Sequence, residues 1–206
     1  MPARLAFAIV TASLLLMEIA LTRVFSGTIG YYFAFMSISV AMLGLGAGSL
    51  WVTLRGAVKL DPDERAGRAA LLLALTSAAS TLFYLRRYPT LGLEGNAGQT
   101  AHVMIFGVLF VPFLVGGVLI ATVFEAKKDQ FAKYYAIDLI GAAIGCVAAV
   151  YLLDRVPAPK AMLLIAFFAG LAAPLFMLQA KKKIHAVVAL VVLVLSFGIG
   201  QRKLLD

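Results

Sequence analysis

The sequence predicts an all-α polytopic membrane protein, a bundle of six or seven transmembrane helices. Of its 206 residues 63% are hydrophobic and only 14% charged, and the mean hydropathy is +0.99, far from the mix of a soluble domain. The apolar residues gather in runs close to the roughly 20 residues that cross the hydrocarbon. The 18 Lys and Arg fall almost wholly between those runs, where cations meet lipid headgroups, so the net charge of +8 reads as membrane topology and not as nucleic-acid binding.

Seven runs are candidate spans: 5–22, 31–54, 69–85, 101–124, 134–153, 161–178 and 184–200. The first has Arg4 before it in the manner of a signal peptide, but it contains Glu18 and lacks a small-residue cleavage site, so we expect it to stay as a span. The first, third and last runs sit near the lower length limit, which leaves a count of six open. Between the second and third, "KLDPDERAGR" reads as a loop followed by a helix restart at Pro62. The longest polar connection, 55–68, is too short to build a soluble core. One transmembrane domain over 1–206 is therefore expected.

With seven spans, one side collects Arg4, Arg55, Lys59, Arg65, Arg68, Lys127, Lys128, Lys133 and Lys181 to Lys183, 11 cations in all. The other side collects the remaining 7, namely Arg23, Arg86, Arg87, Arg155, Lys160, Arg202 and Lys203. The positive-inside tendency puts the N-terminus in the cytoplasm. Trp51, Tyr84 and Tyr88 stand beside arginines, where an interfacial aromatic belt belongs.

The second run carries Gly44 and Gly48, and the fifth carries Gly141, Gly145 and Ala149, each at four-residue spacing. Small residues at that interval line one helix face and admit a neighbouring backbone, the usual packing device in lipid. A nucleotide-loop reading of Gly44, Gly46 and Gly48 lacks the strand, turn and helix it needs. In the fourth run Pro112, followed by Gly116 and Gly117, predicts a kink or break. Interrupted helices can line transporter sites, although a kink that only shapes packing is the commoner case. The matched glycines of the second and fifth runs suggest a 3+3 inverted repeat, as in each half of the major facilitator fold.

Ionisable groups inside the membrane are the candidate functional residues. Thr11, Glu18 and Thr22 fall on one face of the first helix, so Glu18 is expected to face protein. Arg23 lies roughly 140° further round, so His102, Arg86 and Arg87 are the available partners for Glu18 in its leaflet. Asp138 shares the face of Gly141 and Gly145, in the other leaflet. Two carboxylates so separated cannot form one acid and base pair. Each is either a structural polar contact or a ligand or proton site. His102 and His185 begin helices and read as interface residues. No catalytic grouping and no metal cluster stands out, and the single Cys146 reads as a small packing residue.

"EIALTRVFSGTIGYYFAFMSISVAMLGLGAGSL" and "KYYAIDLIGAAIGCVAAVYLL" resemble the N-terminal membrane region of bacterial spermidine synthase-like proteins, in which membrane helices precede a soluble aminopropyltransferase-like domain. Glu18, Thr22, Arg23, Tyr32, Phe35, Gly44, Gly46, Gly48, Asp138, Gly141 and Gly145 carry the resemblance. It implies a multi-pass protein of the bacterial cytoplasmic (inner) membrane. Asp206 follows directly on the last apolar run, so neither the catalytic domain nor a cofactor is expected, and the chain is expected to be non-catalytic alone. The preferred role is a membrane-embedded binding or scaffold subunit, packing through its glycine faces against itself or other membrane subunits, with a separate synthase-like soluble chain as a further partner. The alternative is a small-solute carrier, for a polyamine or another cation, with Glu18 and the broken fourth helix lining its path.

Overall fold

The computed structural model describes residues 2–28, 30–55, 61–87 and 96–202. They form seven helices: α1 (Pro2–Thr28), α2 (Tyr31–Arg55), α3 (Pro62–Arg87), α4 (Asn96–Ala126), α5 (Phe131–Arg155), α6 (Ala158–Gln179) and α7 (Lys183–Arg202). Six of them, α1 to α6, are long and apolar enough to cross a bilayer. The chain is thus a multi-pass helical membrane protein. The runs expected to be marginal belong to full helices of 27 residues in α1 and 26 in α3, because each helix continues through the polar residues that flank its apolar stretch. Lys59, Tyr88 and Lys203 lie outside the described residues.

Local chemistry sets the turns. Asp61 Oδ1 accepts the Asp63 N–H at 2.9 Å and Pro62 occupies the first helical position, so α3 restarts at a capped proline. Gly30, at φ +135°, turns the chain between α1 and α2 with its N–H on the Phe25 carbonyl at 3.0 Å, a backbone angle open to glycine. After α6, Lys181 adopts φ 59°. The Lys182 N–H returns to Met177 O at 2.9 Å and the Lys181 N–H to Leu178 O at 3.1 Å, the two bonds of a Schellman cap.

The first helix is the centre of the bundle, touching α2, α4, α5 and α6. Phe7, Val10, Leu14, Leu21 and Phe25 are buried along it, and Phe25 meets Phe106 at 5.4 Å and Tyr84 at 5.7 Å edge to face. By contrast α2 and α5 turn broad apolar faces outward, Met42, Leu43 and Leu50 on one and Leu139, Ile144 and Val147 on the other. Cys146 is exposed on α5 and does not pack, because the neighbouring Gly145 takes the inward face. Tyr84 is buried, not part of an interfacial belt. Trp51 does hold a belt position, with the Arg55 guanidinium 4.1 Å from its ring centre.

The glycine faces are consumed inside the chain. A Cβ at Gly44 would lie 2.6 Å from Phe113 Cβ, and one at Gly48 would strike Leu114 O and Val118 N on α4. A Cβ at Gly141 would strike Thr11 Oγ1 and Ala8 O, and one at Gly145 would strike Ala12 O, both on α1. These faces are therefore not free to hold another subunit, contrary to the expectation from sequence. The α2 glycines and the α5 glycines are 97 residues apart, and the residues they meet, Ala8 and Phe110, Thr11 and Phe113, Ala12 and Leu114, are each 102 apart. Leu14 and Gly116, matched by the same offset, touch each other. Likewise α1 packs on α6 as α4 packs on α3. Exchange of the first three helices with the next three reproduces these contacts, and three intervening crossings invert one half relative to the other.

The break expected at Pro112 is absent, since α4 runs unbroken from Asn96 to Ala126. Proline lacks the N–H that would bond the carbonyl four residues earlier. That carbonyl belongs to Val108, and Ser80 Oγ of α3 donates to it at 3.1 Å. The neighbouring helix thus repairs the bond that proline removes. Gly116 and Gly117 act not as a hinge but as the sites where Leu14 and the Leu45 backbone come close.

Two outcomes follow for stability. Gly48→Ala and Gly145→Ala should each cost about 1–3 kcal/mol through forced separation of backbones, while Gly46→Ala, with nothing within 4 Å of a new Cβ, should leave the melting temperature in detergent unchanged. Ser80→Ala should cost about 1 kcal/mol, the typical worth of an interhelical polar bond in a membrane, and the same melts with Ser77→Ala for comparison will show it.

Candidate functional site

The two intramembrane carboxylates occupy separate places. Thr11 and Thr22, which share the face of Glu18, turn their hydroxyls to Ala8 O at 3.2 Å and Ile19 O at 2.8 Å of their own helix. Glu18 is half-buried and makes no hydrogen bond or ion pair among the described residues. Its expected partners are engaged elsewhere or simply not in reach. His102 stacks on Phe33 at 4.8 Å and its Nδ1 lies 2.6 Å from Gly98 O, which makes Nδ1 the protonated nitrogen. Nε2 is buried and has no hydrogen-bond partner among the described residues. Arg86 is exposed at the end of α3.

Asp138 is also half-buried and, among the described residues, has no hydrogen bond or ion pair. Because α5 runs parallel to α1, with Tyr134 beside Phe7 at 5.8 Å and Gly141 against Ala8 and Thr11, Asp138 lies level with about Ala8. Ten residues of α1 then separate the levels of the two carboxylates, about 15 Å along the axis. They form no joint acid and base site. Among the described residues no group of three or more His, Cys, Asp and Glu side chains could hold a metal. His185 is exposed at the start of α7.

Arg23 does find a partner, though not Glu18. Its Nη1 donates to Asp154 Oδ1 at 3.2 Å, joining the far ends of α1 and α5 with both side chains more than half exposed. Beside it Thr28 Oγ1 donates to Val24 O at 2.7 Å and lies 2.8 Å from the Tyr84 hydroxyl.

At the opposite end stands an ionic cluster that the sequence reading did not single out. Glu64 is only 6% exposed. Its Oε1 accepts Arg68 Nη2 at 2.6 Å and its Oε2 lies 3.9 Å from Lys182 Nζ. Next to it Lys127 Nζ donates to Asp63 Oδ2 at 3.4 Å, and Arg4 Nη2 donates to Gln130 Oε1 at 3.0 Å. The cluster fastens the N-terminus of α3 to the turns after α4 and α6. The four-residue spacing of Glu64 and Arg68 is visible in the sequence, but Lys182 reaches Glu64 only because the Schellman turn aims it there.

No protein-family model, curated protein or solved structure matches the chain. What distinguishes the polar groups is therefore their setting. The end clusters are paired and tie helices together. Glu18 and Asp138, unpaired and half-exposed, do not, and a carboxylate at membrane depth costs about 2.5–3.5 kcal/mol by insertion scales.

Glu64→Ala should lower stability by about 1–2 kcal/mol, less than the loss of one partner from a fully buried pair because Arg68 and Lys182 retain contact with water. Asp154→Ala, at an exposed pair, should cost under about 1 kcal/mol. Thermal melts of both variants in one detergent provide the comparison.

Proposed function

We propose that this multi-pass protein acts in the bacterial cytoplasmic membrane as a binding or scaffold subunit, non-catalytic by itself, comparable to the membrane region of spermidine synthase-like proteins. The observation that supports the reading is the close packing of the described helices around α1 and α4. Glycine contacts and the aromatic contacts of Phe7 and Phe25 fill the space between α1, α4 and their neighbours. The buried hydroxyls of Thr81 and Thr122 bond the carbonyl oxygens of Ser77 and Val118 in their own helices, and Ser80 serves Val108, so they are spent on structure. Such an interior offers a rigid body, while Glu18 and Asp138 remain available at its surface to a cation of a partner. Partners would be other membrane subunits or a separate synthase-like soluble chain.

A second reading, a carrier for a polyamine or another small cation, draws on the inverted pairing of the two halves, since carriers built this way bind solutes between repeats. The two readings separate at Glu18. For the subunit, mild-detergent extraction should yield a complex larger than the 21.9 kDa chain, and Glu18→Gln should weaken that complex without changing the melt of the isolated chain. Vesicles holding the protein should take up spermidine no faster than empty ones. A clean monomer together with saturable uptake abolished by Glu18→Gln would overturn the subunit and establish the carrier.

A further inference from the structure

The end of the bundle that carries Arg23 holds a cleft of about 300 Å³, near the lower limit of ligand cavities, about 300–1,000 Å³. Val24, Gly27 and Thr28 of α1 form one wall, Tyr84 and Leu85 of α3 face them, and Ala158 at the start of α6 closes the third side. Thr28 spends its proton on Val24 O and its oxygen on the Tyr84 hydroxyl, so the wall is largely apolar. The charged group of the lining is Arg23. One of its N–H groups goes to Asp154 and the side chain is 57% exposed, and a guanidinium has five N–H donors, so others remain for a ligand.

The cleft lies at the last turns of α1 and α3, two helices long and apolar enough to cross a bilayer, where such helices meet the headgroups. Arg86 and Arg155 are exposed at this same end and Lys160 follows Ala158 by two residues. Asp154 is the one carboxylate among the described residues of that rim. An apolar recess with a guanidinium at its mouth and a surplus of cations around it does not suit a free inorganic ion, which would gain nothing from the wall. It suits an amphiphile with a phosphate head, because the guanidinium fork matches phosphate oxygens and the apolar wall accepts the start of a chain.

We propose that this cleft between α1, α3 and the start of α6 binds the headgroup end of an anionic phospholipid, with Arg23 on the phosphate and the first part of an acyl chain against Val24, Gly27 and Leu85. The occupied cleft fills the space between three helix ends, beside the contacts that Tyr84 makes with Phe25 and Thr28.

Titration of the delipidated protein in mild detergent with phosphatidylglycerol, phosphatidylcholine or inorganic phosphate, followed by thermal melting, tests the site. Phosphatidylglycerol should raise the melting temperature, and the other two should not. Arg23→Gln should weaken the phosphatidylglycerol effect by about tenfold or more, the worth of a lost charged hydrogen bond, and Ala158→Trp, which fills the cleft, should abolish it. Asp154→Asn breaks the same ion pair as Arg23→Gln but should keep or strengthen the effect, which separates lipid binding from loss of the pair. Arg55→Gln, at the other end, should keep it. Equal protection by phosphatidylcholine, protection by phosphate alone, or an effect that survives both Arg23→Gln and Ala158→Trp would overturn the site.

Discussion

The bundle depends on backbone touching backbone at the glycines of α2, α4 and α5. Burying apolar surface gives helices in lipid no drive to associate, because the acyl chains are as apolar as the helices, so cohesion has to come from close van der Waals contact. Gly48 lets α2 settle onto Leu114 and Val118 of α4, and Gly145 lets α5 settle onto Ala12 of α1. A single methyl at either position would push apart helices whose other side chains are arranged for that distance. Each peripheral helix is held along one narrow face, and the remainder of α2 and α5 is left to lipid. Their exposed leucines, isoleucines and valines form apolar faces of the kind that suits the hydrocarbon of a bilayer.

The same contacts give the molecule its internal order. Matching offsets of 97 for α2 with α5 and 102 for α1 with α4 mean that one packing solution is used twice, once in each direction across the membrane. The solution is not copied residue for residue. Where α1 offers Ala8 and Ala12 to the incoming glycines, α4 offers Phe110 and Leu114, and it is their backbone atoms that meet Gly44 and Gly48. Pro112 sits within this contact strip. Its missing hydrogen bond would be a weakness in an isolated helix, and Ser80 removes that weakness from outside. A helix in a bundle can therefore stay continuous where its own sequence predicts a break.

What could be read in the sequence follows the range of each interaction. Periodic and local features were legible. The four-residue glycine spacing marked packing faces, and Pro62 marked a helix start. Features that depend on which helix lies alongside were not. Nothing near Pro112 announces Ser80, nothing near Glu64 announces Lys182, and Asp154 becomes a partner for Arg23 only because α1 and α5 run parallel. Tyr84 looked interfacial beside Arg86 and Arg87, yet Phe25 and Thr28 enclose it. The glycine faces were identified as surfaces of contact, but one sequence cannot say whether the contact is with the same chain or with another.

The repeat also shows which residues packing does not account for. Under the offsets that relate the halves, Glu18 corresponds to Ile120 and Asp138 to Ala41. An apolar side chain thus serves the matching position in each case, and Ala41 is fully buried in its contact. The architecture can be built without either carboxylate. Both carry a desolvation cost that no hydrogen bond or ion pair among the described residues offsets, unlike Glu64, whose burial is compensated by Arg68 and Lys182. Packing therefore accounts for Glu64 but not for Glu18 or Asp138. Glu18 and Asp138 lie on helices that the repeat does not exchange, α1 and α5, and so they break the symmetry of the two halves at two separate levels of the bundle.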